Sequence, residues 1–329
     1  MGGILVVGEL DGGKPHSITG ELLAAGRQLA DASGDRVAAT LLGSETDGAS
    51  DDAVSLGADT VYLVQDPLLE TPVPDTFLAA LEYLCKEIEP TVVLIGKTPL
   101  GAEVGPRLGF RLAVGVAQDC LEVDVAPETG RVLATRAVYG GNALAKLTFP
   151  DADPQIVIIR PKVFEQTEPD TTRTGEVVTV RPVIDPSVVR SQVVETVRSQ
   201  SEGVRLEDAA IVVSGGRGLG GPENFDVIQE LAKLLGGAVG ASRAVCDAGW
   251  LDHSYQVGLT GKTITPNLYI TVGISGASQH MAGCSGAKHI VAINRDGDTN
   301  IFKAAHFGVV GEWQTVLPSF VETVRELRP

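Results

Sequence analysis

"LYITVGISGASQHMAGCSGAKHIVAINRD", residues 268–296, begins and ends as buried β-strand. "LYITVG" and "HIVAINRD" are short apolar runs bounded by turn residues, the pattern of strands covered on both faces. Between them lies a run of Gly, Ser and Ala, interrupted by Gln279 and His280. Residues without bulk let a backbone come close to a large neighbour. Gln279 and His280 are expected to face that neighbour.

Working outward, the same unit begins at "AAIVVSGGRGLGG" (209–221), a strand running into a Gly-rich turn. The helical pattern "ENFDVIQELAKLLG" (223–236) follows, closed by Gly236 and Gly237 as C-cap candidates. Short strands are expected around "AVGASRAV" (238–245), and "GEWQTVLPSFVETVRELR" (311–328) closes the chain as a helix containing Pro318.

The first half alternates strand and helix patterns. Strands are read at "ILVVGEL" (4–10), "RVAATLLG" (36–43), "TVYLVQ" (60–65) and "TVVLIGKT" (91–98). Helices are read at "SITGELLAAGRQLADAS" (17–33), with Ser17 as N-cap, at "DDAVSLGAD" (51–59), at "VPDTFLAALEYLCKEIE" (73–89), stopped by Pro90, and at "GAEVGPRLGFRLA" (101–113). This alternation implies βαβ units and a parallel sheet with helices on both faces. After about Val116 four strand patterns follow without helices, "DCLEVDV", "RVLATRAVYGG", "ALAKLTF" and "QIVIIRP". They are expected to extend the sheet with antiparallel strands. A Thr-, Glu-, Pro- and Ser-rich stretch from about residue 165 reads as an excursion and linker, with one strand near 177–180. Two domains are expected, 1–200 and 201–329.

Bulk properties narrow the function. The 329 residues carry a net charge of −16. That balance opposes a nucleic-acid backbone or an anionic membrane surface as partner and permits docking to a basic face. Cys85, Cys120, Cys246 and Cys284 form no C-x-x-C pair and no zinc spacing, which suits free thiols in a reducing compartment. No secretory signal or transit segment is read, and no apolar run approaches the roughly 20 residues of a membrane span. A cytoplasmic protein without direct membrane insertion is expected.

The chemistry-bearing residues gather at strand ends. In "SGGRGLGG" (214–221), glycines and a following helix N-terminus could bring amides to an anion, and Arg217 adds a cation. A tight turn is the structural alternative. "GASRAVCDAG" (240–249) places Ser242 and Arg243 after a strand, and "QVGLTGKTITP" (256–266) supplies Gln256, Thr260, Lys262 and Thr263. Ser275, Gln279 and His280 follow "LYITVG", and Asn294 ends "HIVAIN". Open α/β sheets bind ligands beyond the carboxyl ends of their strands. Alone, His280 reads more readily as a core histidine than as a functional one. Together the set describes a dinucleotide site better than a metal or nucleophile site. No G-x-S-x-G, H-E-x-x-H or P-loop motif occurs.

"VVSGGRGL" (212–219), "GASRAVCDAG", "QVGLTGK" (256–262) and the opening stretch, in this order and spacing, closely resemble the FAD domain of the electron-transfer flavoprotein alpha subunit. "GPRLGFRL" (105–112), "RAVYGGNALA" (136–145) and "IVIIRPKVF" (156–164) are similar to the family's first domain. The resemblance implies an α/β chain. Its N-terminal parallel-sheet Rossmann-like domain, of adenine nucleotide alpha hydrolase type, contacts a beta subunit, and its C-terminal α/β domain binds FAD. It further implies a heterodimer with one FAD in this chain and a second FAD or AMP in the beta subunit. Electrons would come from an acyl-CoA dehydrogenase of fatty acid β-oxidation, or another dehydrogenase, and pass to a quinone oxidoreductase or another acceptor. Some members instead bifurcate electrons from NADH, with ferredoxin as one acceptor. A non-redox nucleotide-binding scaffold is the remaining alternative.

By the same resemblance Arg217 lies near the FAD, and Ser242 and Arg243 lie close to the flavin ring. Gln256, Val257, Gly258, Thr260 and Gly261 form a loop against it, with Thr260 near N5. Ser275, Gly276, Ala277, Gln279 and His280 follow the ribityl chain and the O2 side, and Asn294 lies toward the adenosine. Arg243, His280 and Thr260 tune the flavin, and no residue acts as an acid–base catalyst. The chain departs from the family pattern at Leu259, where a Gln is expected, at His306, where an Asp near the adenine is expected, and at Ala102, where an Arg is expected.

Overall fold

β1 (Ile4–Gly8) decides the layering of the N-terminal unit. Successive strand side chains point to opposite faces. Ile4 and Val6 join one buried apolar cluster and Leu5 and Val7 another, so both faces are covered. The computed structural model describes residues 2–327 apart from 45, 47, 140–142, 150, 151, 192, 196–203 and 208. The chain divides into two compact units, residues 1–197 and 198–329. The expected boundary between residues 200 and 201 lies outside the described residues.

After β1 come β2 (Leu10–Asp11) and β3 (Lys14–Pro15), a small antiparallel pair, and then α1 (Ser17–Ser33). The cap of α1 is His16, not Ser17: its Nδ1 accepts from the Ile18 N–H at 3.3 Å. β4 (Val37–Gly43), α2 (Ala49–Ser55), β5 (Thr60–Gln65), α3 (Pro74–Ile88), β6 (Val92–Gly96) and α4 (Pro99–Leu112) continue the alternation. α3 ends where Glu89 turns left-handed, one residue before Pro90.

The next four strands are β7 (Val116–Val125), β8 (Val132–Val138), β9 (Ala143–Thr148) and β10 (Gln155–Ile159). β7, β8 and β9 extend the sheet through antiparallel pairs, as expected, but β10 does not join them at the edge. β10 returns between β6 and β7, parallel to both. Among the described strands of this sheet β8 alone runs opposite to the rest, which makes its pairs with β7 and β9 antiparallel. Every residue of β10 is buried, as a central strand requires. β11 (Glu176–Val180) is the strand expected near 177–180, but its place was not foreseen. The excursion does not merely link: it carries β11 back to pair with β5 at the far edge. Asp59 anchors it, taking Arg173 at 3.0 Å and Arg27 at 2.7 Å. The nine strands run β11-β5-β4-β1-β6-β10-β7-β8-β9.

The second unit holds β12 (Ile211–Gly215), α5 (Asp226–Leu235), β13 (Ala238–Ala241), α6 (Arg243–Cys246), β14 (Leu268–Val272), α7 (Ser278–Met281), β15 (His289–Asn294), α8 (Ile301–Ala304), β16 (Phe307–Val310) and α9 (Trp313–Leu327). Residues 243–246 are helical, although the sequence reads as strand through there. β16 is an addition to the sequence reading. Its five parallel strands run β13-β12-β14-β15-β16. α5 and α9 pack on one face through Ile228, Leu231, Leu317 and Val321. No helix among the described residues is long and apolar enough to cross a membrane.

Candidate functional site

β13 follows β12 on one side, and β14 then crosses to the other. The connections above β12 therefore leave in opposite directions, and a crevice opens at the carboxyl ends of β12 and β14. The expected site residues gather at this end. Arg217 stands two residues beyond β12, Ser242 and Arg243 directly after β13, Ser275 three beyond β14, and Asn294 closes β15. Residues 256–261 arrive from farther along the chain. Gln256 bridges Ala241, and the Val257 N–H donates to the Ala241 carbonyl at 2.9 Å, which seats the loop beside the end of β13.

Part of the missing bulk has an internal cause. Gly273 has φ +65, and a Cβ on it would stand 2.9 Å from Gly218, so the turns after β12 and β14 press together. Gly276 has φ +73, and a Cβ there would collide with the backbone of Ile301 at the start of α8. These glycines let loops of this chain meet. Ser275 and Ala277, between and beyond them, are exposed. The amides after β12 are likewise engaged internally: Gly216 donates to Val272, Gly218 to Gly273 and Leu219 to Gly216. α5 begins only at Asp226, after two short 3-10 turns. The expected cradle of amides at a helix N-terminus is thus not what this turn offers. Its contribution to an anion is the exposed Arg217.

Gln279 and His280 do not face one way. α7 makes them helical, and one helical step turns the side chain by about 100°. Gln279 is exposed, whereas His280 is 7% exposed. His280 Nε2 meets the Tyr269 hydroxyl at 2.8 Å, and its Nδ1 is buried without a hydrogen-bond partner. Burial, offset in small part by the Val257 backbone, pushes the imidazole pKa down to about 4. At neutral pH His280 is therefore an uncharged group that can offer one N–H.

Arg243 is exposed, and its Nε pairs with Asp247 at 3.2 Å, one helical turn on. The Thr260 hydroxyl accepts from Gln256 Nε2 at 3.0 Å. Leu259 is 68% exposed, while its N–H donates to the Gln279 carbonyl at 2.7 Å and ties the loop to α7. Asn294 braces the next turn: its Nδ2 donates to Ile274 at 3.0 Å and its Oδ1 accepts from Asp296 at 3.1 Å. His306 lies at the opposite end of the sheet. It precedes β16, and its Nδ1 accepts from the N–H of Ile290, near the start of β15. A role beside the other site residues is excluded for it.

Trp313 also stands just beyond the carboxyl end of β16, a strand the sequence pattern does not mark. The Gly311 N–H donates to Asn294 at 3.0 Å, and Trp313 Nε1 is buried without a partner. Among the described residues no group of three or more His, Cys, Asp or Glu is placed to hold a metal ion. The N-terminal unit has a cavity of about 580 Å³ whose lining includes Glu9, Glu70 and Glu103, a poor match for phosphate. Burial raises the Glu9 pKa, against the pull of the Thr98 hydroxyl.

The carboxyl end of the second sheet thus offers two exposed guanidiniums, the hydroxyls of Ser242, Thr260 and Ser275, the Gln279 amide and the orphaned His280 Nδ1. Cations, hydroxyls and a buried polar atom without a partner fit a long, polar, anionic ligand, and they include no nucleophile–base pair.

Residues 4–185 match the electron transfer flavoprotein domain, and residues 205–285 match the electron transfer flavoprotein FAD-binding domain. The chain is 43% identical over 325 residues to electron transfer flavoprotein subunit alpha of Thermoanaerobacterium thermosaccharolyticum, covering 99% of this chain and 98% of that one. It is 39% identical to protein FixB of Clostridium saccharobutylicum over 325 residues, covering 99% and 97%. The alpha subunit of Megasphaera elsdenii is 39% identical over 326 residues, covering 98% and 96%.

Proposed function

Because the chain belongs to the electron-transfer flavoprotein alpha-subunit family, which implies a flavin cofactor and a beta-subunit partner, we propose that its C-terminal unit holds one FAD and relays electrons. They enter from a dehydrogenase, such as an acyl-CoA dehydrogenase, and leave to a quinone reductase or another acceptor. The observation that carries this reading is the convergence of Arg217, Ser242, Arg243, Thr260, Ser275 and Gln279 on one end of a parallel sheet.

When bound, FAD supplies the one- and two-electron chemistry. The chain's residues bind it and set its electrostatics. Arg217 offers its charge to the pyrophosphate. Arg243 offers a guanidinium to the ring, with Asp247 holding it through Nε and leaving its outer nitrogens to point elsewhere. His280 offers a neutral N–H, which favours negative charge on the ring without adding a full cation. Thr260 adds a hydroxyl. Residues 1–200 are assigned to the contact with the beta subunit, which holds its own FAD or AMP.

The test is electron flow through the purified heterodimer. It is mixed first with an acyl-CoA dehydrogenase and acyl-CoA, then with a quinone reductase, and separately with NADH. Bleaching at the first step and recovery at the second is the expected sequence. A flavin that neither step touches rejects the relay. NADH oxidation that reduces ferredoxin and an acyl-CoA-linked acceptor together would replace it with the bifurcating reading.

A further inference from the structure

A buried amide lies beneath the exposed Thr260. Gln256 is 3% exposed, and its backbone is gripped on both sides. Its N–H donates to the His253 carbonyl at 3.1 Å, and its own carbonyl accepts from Lys262 at 2.6 Å. The turn of residues 258–261 rests on its stem. A Cβ on Gly261 would collide with the Gln256 carbonyl and stand 2.8 Å from its Cγ.

The carboxamide is engaged at both ends. Nε2 donates to Thr260 Oγ1 at 3.0 Å, and Oε1 faces His253 Nδ1 at 3.1 Å. An amide oxygen only accepts, so the contact requires a proton on His253 Nδ1. His253 is itself held in a short turn capped by Asp252, whose Oδ1 accepts from Ser254 at 2.8 Å. The pair orients the amide with its N–H groups toward Thr260. A hydroxyl has one proton. With its oxygen already accepting from Gln256, the Thr260 proton is left to point away from the protein.

We infer that Gln256 is a positioning residue that fixes the polarity of Thr260, so that Thr260 meets the ligand bound over this loop as a donor. The inference rests on the FAD reading and deepens it. Gln256 acts through Thr260 from beneath the loop. A donor held in this sense favours forms of the flavin ring that carry more negative charge.

The test is a double-mutant cycle on the heterodimer with its beta subunit, using Gln256→Met, Thr260→Val and the pair. The readouts are the midpoint potential of the bound flavin and the dissociation constant for FAD. Each single variant should shift the oxidised-to-reduced ratio at fixed potential about three- to tenfold toward the oxidised side, the worth of one hydrogen bond. The pair should shift it no further than Thr260→Val alone, because Gln256 acts only through the Thr260 hydroxyl. Additive shifts overturn the inference, as does a Gln256→Met variant with unchanged potential. If Gln256→Met does not fold, Gln256→Glu replaces it. A carboxylate only accepts, so it turns the Thr260 proton inward, and its effect must differ between the Thr260 and Val backgrounds. Equal effects in both overturn the inference. A heterodimer that takes up no flavin removes this inference and the FAD reading together. Flavin uptake with additive shifts removes this inference alone.

Discussion

Tyr269 is fully buried, and its hydroxyl meets a histidine whose other nitrogen has no partner. Replacing Tyr269 with Phe keeps the ring and strands Nε2 as well. An unsatisfied buried polar atom costs about 1–3 kcal/mol. Tyr269→Phe should therefore lower the melting temperature by several degrees at pH 7. The His280 pKa is depressed, so His280 favours the folded state above about pH 6.5, and that contribution is lost as pH falls toward about 4. An unchanged melting curve for Tyr269→Phe would show that the hydrogen bond is incidental. The residue pattern favoured a core histidine here, and the side chain is indeed buried. That Gln279 and His280 part company was not legible. In "GISGASQH" the small residues carry no periodicity, so strand, turn and helix leave the same trace.

At the scale of elements, the alternation of strands and helices was legible up to α4, and the order of the later strands was not. "QIVII" is apolar at every position but its first. That pattern marks a strand covered on both faces without naming its neighbours. Side chains at the strand ends secure the insertion. Asp119 on β7 pairs with Arg160, just beyond β10, through two contacts of 2.9 Å, and with Lys97, just beyond β6, at 2.9 Å. Burial works against the Asp119 charge, but Arg160 and Lys97 outweigh it and hold the pKa at about 2. Asp119 has φ +62, a conformation that Asn tolerates, so Asp119→Asn isolates the charge. It should cost about 2 kcal/mol at pH 7 by linkage. With a depressed folded-state pKa, the difference from the unaltered protein should persist above about pH 4 and shrink as pH falls toward 2. Urea melts across that range check this, and a pH-independent difference would assign the cost to packing instead.

For the whole molecule, the two units divide the work proposed for the chain: one acidic-lined cavity with no provision for phosphate, and one sheet end with provision for a dinucleotide. Arg217, Ser242, Arg243, Ser275 and Gln279 could be set at one sheet end from the sequence because each follows a strand, whereas residues 256–261 reach that end from farther along the chain. The partners of the site residues were not legible. The contacts of Tyr269 with His280 and of Gln256 with Thr260 depend on loop and helix geometry that residue spacing does not show, and Trp313 joins this end only when β16 is laid beside β15. The most direct measurement is the FAD released per mole of this chain from the heterodimer made with its beta subunit, compared with the same measurement on Ala277→Trp. Ala277 is exposed at the start of α7, so an indole there fills the space over the turn without entering the core. At least one equivalent of FAD, with one equivalent lost in the variant, is the expected result. A colourless heterodimer, or a flavin content the variant leaves unchanged, would contradict the placement of FAD on this chain.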